Sequence, residues 1–432
     1  MRSSCRVFAV AILAVTCLSS QSFADTWPQF RGMTGSGVSA EKNLPTRWSA
    51  DKGVLWSVEL PGRANSAPAI TANRIDLTTQ DEDNGLWVLS ADRKTGQIVR
   101  RVKVGSGVLE AKGPRNLWAY RHNAATPCPA ADENSVYAFF GSGLLVCVDA
   151  KSGKVKWQHD MVKEYGKYDI TFGMGSSPRL WGDLLYVECL TKGPSYVVAF
   201  NKKSGKEVWK TERRVPAKDD GPDAYTTPFV FESKDGHQLL VSGSDHITAY
   251  DLRSGKLQWK SAGLAIKSKY GRVIASPAAD AGVVVVTAAN PGGGGLGHVL
   301  GIRAGGKGDV TKSNRLWKLA QSTPDSSTPV CLGGRVFMAT DKGVASCINL
   351  TSGEEVWRKR LPTGTYHASL VAGDGKVYFQ NVEGACTVVS ADDEGKIIST
   401  NQLPGKFYAT PAISDGEIYL RAYERLFAVG VK

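Results

Sequence analysis

Two small residues, a proline and then an apolar run recur eight times along this chain of 432 residues. The copies are Ser66-Ala67-Pro68, Ala125-Thr126-Pro127, Ser176-Ser177-Pro178, Thr226-Thr227-Pro228, Ala275-Ser276-Pro277, Ser327-Thr328-Pro329, Ala368-Ser369-Leu370 and Ala409-Thr410-Pro411. They lie 41 to 59 residues apart, and only Leu370 breaks the proline. Self-similarity at such a period marks a repeat architecture and overrides the several-domain organisation that length alone suggests.

A second element follows within each unit: an apolar strand, Asp or Asn, Ser/Thr-Gly, then Trp. Clean copies run Asp149–Gly153–Trp157, Asn201–Gly205–Trp209, Asp251–Gly255–Trp259 and Asn349–Gly353–Trp357. Asp and Asn fold their side chains onto nearby backbone to start a turn, and Gly accepts a left-handed conformation. The tryptophan on the strand that follows is expected to bury its face against the neighbouring unit. Weaker copies are Asp92 to Gly96 and Asp392 to Gly395, and a variant at Gly305-Gly306-Lys307-Gly308 ends at Trp317. Apolar strands such as Ser135–Phe140, Leu184–Glu188, Val283–Thr287 and Lys376–Gln380 fill the space between the two elements.

The last unit stops at Lys432 without its tryptophan strand, and Val54–Leu60 near the other end has the missing pattern. The expected fold is therefore all-β: an eight-bladed β-propeller of four-stranded antiparallel blades, its ring closed by an N-terminal strand that removes both open edges. The expected organisation is a signal peptide over 1–24, an N-terminal extension over 25–52 and the propeller over 53–432.

These repeats resemble the pyrroloquinoline-quinone (PQQ)-like β-propeller repeat. The opening Trp27-Pro-Gln-Phe-Arg-Gly32, with Gly35, Gly37, Leu44-Pro45 and Trp48, is similar to the start of secreted bacterial PQQ-like propeller proteins, as are Gly173–Pro178 and Gly305–Thr311. The resemblance spans nearly all of 25–432 and speaks for fold more than function. Two better-understood groups share the architecture. Quinoprotein alcohol dehydrogenases hold PQQ between a tryptophan and a vicinal disulfide, beside a calcium ion and a catalytic aspartate. No Cys-Cys dipeptide exists here, and neither the calcium ligands nor that aspartate match any position. BamB-like proteins are lipoprotein scaffolds of outer-membrane protein assembly.

Arg2 and Arg6 followed by the apolar Val7–Leu18 read as the leader of an exported protein, with cleavage after Ala24 and a periplasmic or extracellular destination. Lipoprotein processing at Cys17 is the rival, for which Thr16 fits poorly. No later apolar run is long enough to span a bilayer. The formal charge of +12 has no Lys/Arg run to focus it, so nucleic acid is not an expected partner, whereas peripheral membrane association is compatible with it. Of eight cysteines, Cys5 and Cys17 lie in the leader. Neither Cys128–Cys147 nor Cys331–Cys347 is expected to bond, because first and third strands of a blade stand about 10 Å apart and a bridge needs less than about 7 Å. The state of Cys189 and Cys386 is open.

In a propeller the first strand of each blade lines the central channel, so the residues three before each proline should ring one mouth. They read Asn65, Ala124, Gly175, Tyr225, Ile274, Ser326, His367 and Tyr408. With their neighbours they give a candidate ligand-binding set of Tyr120, Arg121, His122, Tyr225, Tyr270, Arg272, Tyr366, His367 and Tyr408. Aromatic faces suit stacking and arginines suit carboxylate or phosphate. No metal site and no catalytic constellation are expected. Asp81-Glu82-Asp83-Asn84 lacks calcium-loop spacing and reads as a hairpin tip. The reading is a monomeric extracytoplasmic binding or scaffold propeller for a protein segment or polysaccharide, with no cofactor. The alternative is a PQQ-dependent oxidoreductase using PQQ and Ca²⁺.

Overall fold

The computed structural model describes residues 26–109, 121–233, 236–289 and 296–431. The leader, its cleavage site and Cys17 lie outside these, as do Tyr120 and the Pro291–Gly295 loop. Eight sheets form eight antiparallel four-stranded blades. Blade 1 holds Ala69–Ile70, Arg74–Gln80, Gly85–Asp92 and Ile98–Ser106, and blade 2 holds Ala130–Asp132, Ser135–Phe139, Leu144–Asp149 and Val155–Asp160. Blades 3 to 7 repeat the pattern, with first strands at Arg179–Trp181, Phe229–Ser233, Ala278–Asp280, Val330–Leu332 and Val371–Gly373. Blade 8 comprises Ala412–Ser414, Glu417–Ala422, Arg425–Val429 and, from the other end of the propeller, Val54–Glu59. Val54–Glu59 pairs antiparallel with Arg425–Val429, which closes the ring as the sequence predicts. First strands of neighbouring blades touch one another around the axis.

Tryptophan and glycine of the second element belong to one joint. Six of the fourth strands, those of blades 2 to 6 and 8, carry a bulge just before a tryptophan, seen at Val155/Trp157, and the bulge re-aims the ring toward the next blade. There the indole lies on the turn glycine. A Cβ built on Gly205, Gly255, Gly353 or Gly395 would fall 2.4 to 2.7 Å from Trp157, Trp209, Trp317 or Trp357 respectively. The indole N–H then donates across the blade boundary, from Trp209 to Leu252 O at 2.9 Å and from Trp317 to Leu350 O at 2.8 Å. Trp56 on the closing strand makes the same joint with Gly96 of blade 1. Blade 1 has Arg100 where its own tryptophan would be, and Arg100 donates to Ala150 O and Lys151 O of blade 2.

Residues 27–48 are anchored to the propeller at several points, with Trp27, Arg31, Leu44 and Trp48 buried. Trp27 pairs with Ile70 on the first strand of blade 1, Ala131 of blade 2 donates to Pro28 O, and Leu180 of blade 3 donates to Gln29 Oε1. Val38–Ser39 adds a parallel strand to Ala372–Gly373 on the channel side of blade 7. The segment thus crosses the channel and plugs one end. Trp48 then stacks on Tyr378, leading the chain to its closing strand.

All six described cysteines are buried and unbonded. Among the described residues no helix is long and apolar enough to cross a membrane.

Candidate functional site

Each first strand enters the channel through its small-small-Pro element, whose residues alternate in direction. The residue before proline points to the axis. Its backbone N–H donates to the hydroxyl of the equivalent residue one blade on: Ser177 to Thr227 at 3.2 Å, Thr227 to Ser276 at 2.9 Å and Ser276 to Thr328 at 3.0 Å. Thr328 to Ser369 and Ser369 to Thr410 continue it at 3.1 Å each. This belt explains why the position is serine or threonine. At blade 1 it is Ala67, whose N–H donates to Cys128 Sγ at 3.0 Å, and Cys128 N donates in turn to Ser177 Oγ at 2.9 Å.

Cys128 therefore occupies the hydroxyl's place in blade 2. The structural repeat there is Pro127-Cys128-Pro129, two residues beyond the Ala125-Thr126-Pro127 element. The correction also moves the outer ring. Three before Pro129 stands Thr126, not Ala124, and Thr126 lines the channel while Ala124 is fully buried. With that change all eight ring positions face one cavity: Asn65, Thr126, Gly175, Tyr225, Ile274, Ser326, His367 and Tyr408. Between belt and ring, Ser66, Ser176, Thr226, Ala275 and Ser327 point away and are buried.

The result is a blind cup of about 650 Å³. The ring forms its mouth, the belt its lower wall, and Phe30 of the plug lines its closed end. Of the sequence-predicted residues, Arg121, His122, Tyr225, Arg272, His367 and Tyr408 line this cup. Tyr270 lies outside it, half exposed beneath Lys269. Tyr366 is buried in the core beside blade 7 with its hydroxyl donating to Pro362 O. Tyr120 lies outside the described residues.

The wall is electrostatically mixed. Arg272 stacks over Phe172 with 4.3 Å to the ring centroid and pairs with Asp220 at 3.2 Å, while among the described residues its buried Nε has no partner. Asp325 and Asp341 of blade 6 face it within the same cup. Burial and then the charge of Asp341 push Asp325 up to about 7, against the pull of Arg272, His367 and Arg121. Among the described residues Asp325 Oδ1 has no hydrogen-bond partner. His367 bonds Ser326 Oγ at 3.1 Å and stacks on Tyr408, which stacks on Tyr423. Burial pulls His122 down to about 4, so it is neutral at pH 7. Asp325, Asp341, Phe172 and the plug escape sequence reasoning, since none sits in a repeat position that signals it.

The cup suits PQQ only in part. Its volume and its arginines suit a small tricarboxylate. Its closed end is Phe30 and hydroxyls rather than an indole, and the single belt cysteine has no adjacent cysteine to form a vicinal disulfide. Among the described residues no group of three or more His, Cys, Asp or Glu side chains is placed to hold a metal ion. The residues do not fit PQQ and Ca²⁺ held in the quinoprotein manner. The Asp81 hairpin is likewise committed internally, its carboxylate accepting from Gly85 N and Trp87 Nε1.

A family model described as outer membrane protein assembly factor BamB matches residues 38–187, 170–307 and 307–394. BamB of Yersinia pestis is 22% identical over 296 residues, covering 67% of this chain and 69% of that protein. Quinohemoprotein alcohol dehydrogenase ADH IIB of Pseudomonas putida is 29% identical over 140 residues, 31% of this chain but only 19% of that protein. Among solved structures, BamB from Moraxella catarrhalis superposes with a TM-score of 0.62 at 14% identity, covering 87% of this chain and 98% of that one. A europium-containing methanol dehydrogenase gives 0.66 at 11% identity, covering 93% and 90%. At these identities the structures speak for the fold alone.

Proposed function

Because this chain belongs to the family of outer membrane protein assembly factor BamB, we propose that it is an extracytoplasmic binding propeller whose plugged cup takes the end of a protein segment or polysaccharide, without catalysis. The family's name favours a protein ligand. The observation that carries the reading is the blind cup itself: a channel closed by the chain's own Trp27–Ser39 and open at a mouth of aromatic and charged side chains. A blind cup admits a chain end, not a passing strand. The partnerless Arg272 Nε and Asp325 Oδ1 give that end one donor and one acceptor to satisfy. Export, a monomeric state and any membrane association belong to the same proposal.

The second reading, a PQQ-dependent oxidoreductase, draws on the similarity to the dehydrogenases and on the cup's arginines. The mismatch of the cup with the quinoprotein arrangement ranks it second.

The test is a panel of fluorescent peptides and oligosaccharides titrated against the purified protein and a Tyr225→Ala/Arg272→Ala variant. Saturable binding lost in the variant supports the proposal. Binding that the variant retains places recognition elsewhere on the propeller and overturns it.

A further inference from the structure

Three arginines lie buried around the channel at the level of the belt. Arg31, Arg179 and Arg421 are 1%, 2% and 1% exposed. Arg31 and Arg179 spend their donors on backbone, whereas Arg421 bonds only through Nη1, to backbone and to Ser66 Oγ, and among the described residues its Nε and Nη2 are buried without a partner. Arg31 reaches Thr328 O at 2.9 Å and Pro329 O at 2.6 Å, Arg179 reaches Pro228 O at 2.8 Å and Phe30 O at 3.0 Å, and Arg421 reaches Thr78 O at 2.9 Å. Among the described residues none of the three has an ion-pair partner. Burial pulls Arg31 and Arg421 down to about 9 and Arg179 down to about 10, so all stay charged at pH 7. The one carboxyl near enough for Arg179 to feel is Glu188, which burial pushes up to about 8 and so leaves largely neutral. Unpaired buried cations are unusual, because desolvation disfavours them by several kcal/mol unless a counter-charge is near.

The belt lies between these charges and the cup. Its six hydroxyl oxygens each accept one backbone N–H, and among the described residues only the Ser177 hydroxyl also has a side-chain partner, Cys128. All six side chains line the cup and are at least nine-tenths buried. The O–H groups of the other five thus converge on the axis where the field of the guanidinium groups is positive and water is scarce.

We infer that the closed end of the cup is an anion site, in which the belt hydroxyls and the guanidinium charges around them receive one carboxylate or phosphate group. Asp325 and Asp341 stand nearer the mouth, so the atoms behind the anionic head must donate hydrogen bonds or carry positive charge. The inference rests on the cup being a binding site, and not on which polymer enters it.

The probes are sodium acetate and sodium phosphate, titrated at constant ionic strength against chloride and followed by calorimetry and by Tm. The expected result is a saturable one-site isotherm and a Tm rise that follows occupancy. Thr328→Val/Ser369→Ala should weaken it about tenfold. Since that variant also removes two belt acceptors, a second readout uses the unaltered protein: saturating phosphate must displace acetate. A Tm that drifts linearly and equally with all three salts overturns the inference, as does acetate binding indifferent to phosphate. Tighter acetate points to a carboxylate-ended ligand, and tighter phosphate to a phosphorylated one. Small anions binding while the whole peptide and oligosaccharide panel fails would sink the polymer reading and leave this site standing.

Discussion

Gly255→Ala and Gly375→Ala make a matched pair. Both glycines have φ of +67°, so alanine meets the same backbone penalty of about 1–2 kcal/mol at each. They differ in what the new methyl meets. At Gly375 nothing lies within 4 Å, whereas at Gly255 the Cβ would stand 2.4 Å from Trp209 Cε3 and 2.9 Å from Thr211 Oγ1. Trp209 cannot swing aside easily, because it is 8% exposed and bonded to Leu252 O. Overpacking of this kind adds about 1–3 kcal/mol. For 432 residues at about 2.1 cal/mol/K each, unfolding entropy near Tm is about 0.9 kcal/mol/K. Thermal melts should therefore show Gly375→Ala lowered by about 1–2 °C and Gly255→Ala by about 2–5 °C. In a Trp209→Ala background the excess at Gly255 should shrink to what the Thr211 contact leaves, which a double-mutant cycle reads directly. Equal shifts for the two glycines, or an excess undiminished without Trp209, would refute the claim that blades are joined by indole on glycine.

Other outcomes follow from buried charge. Arg31→Ala strands the carbonyls of Thr328, Pro329 and Leu370 and should cost about 3–5 kcal/mol in urea unfolding, with residues 26–39 becoming the first site of limited proteolysis. Glu188 has its folded pKa raised to about 8 from 4.5 by burial, so the folded state holds the extra proton. Its contribution is fully present below pH 4.5 and is lost as pH rises toward 8. Glu188→Gln should flatten that slope in urea melts between pH 5 and 8. His122 has the opposite sign: its folded pKa is depressed to about 4 by burial. Stability tied to it is present above pH 6.5 and is lost as pH falls toward 4, a loss that His122→Asn should remove.

The fold was legible because propeller blades repeat a physical joint. Asp or Asn, Gly and Trp recur together since Trp56, Trp157, Trp209, Trp317 and Trp357 each lie on a turn glycine of the next blade. The closing strand was legible because Trp56 completes that joint at Gly96. The candidate cup was half legible. Ring positions are fixed by spacing to proline, and they failed only at blade 2, where prolines at 127 and 129 compete and a sulfur stands in for a hydroxyl. The plug left no periodic trace. Arg31 and Arg179 bind carbonyl oxygens, which every residue possesses, so their partners carry no sequence signature. Asp325 and Asp341 likewise meet only through the folding of two different loops of blade 6.

The central claim is that the cup binds a ligand without serving as a quinone site. It is tested most directly by titrating PQQ into the purified protein, with and without Ca²⁺, and following Tm. The account predicts no Ca²⁺-dependent saturable shift, with at most the weak occupancy that any small carboxylate shows. A clear saturable rise that requires Ca²⁺ and disappears in Tyr225→Ala/Arg272→Ala would contradict it and make the chain a quinone-dependent oxidoreductase.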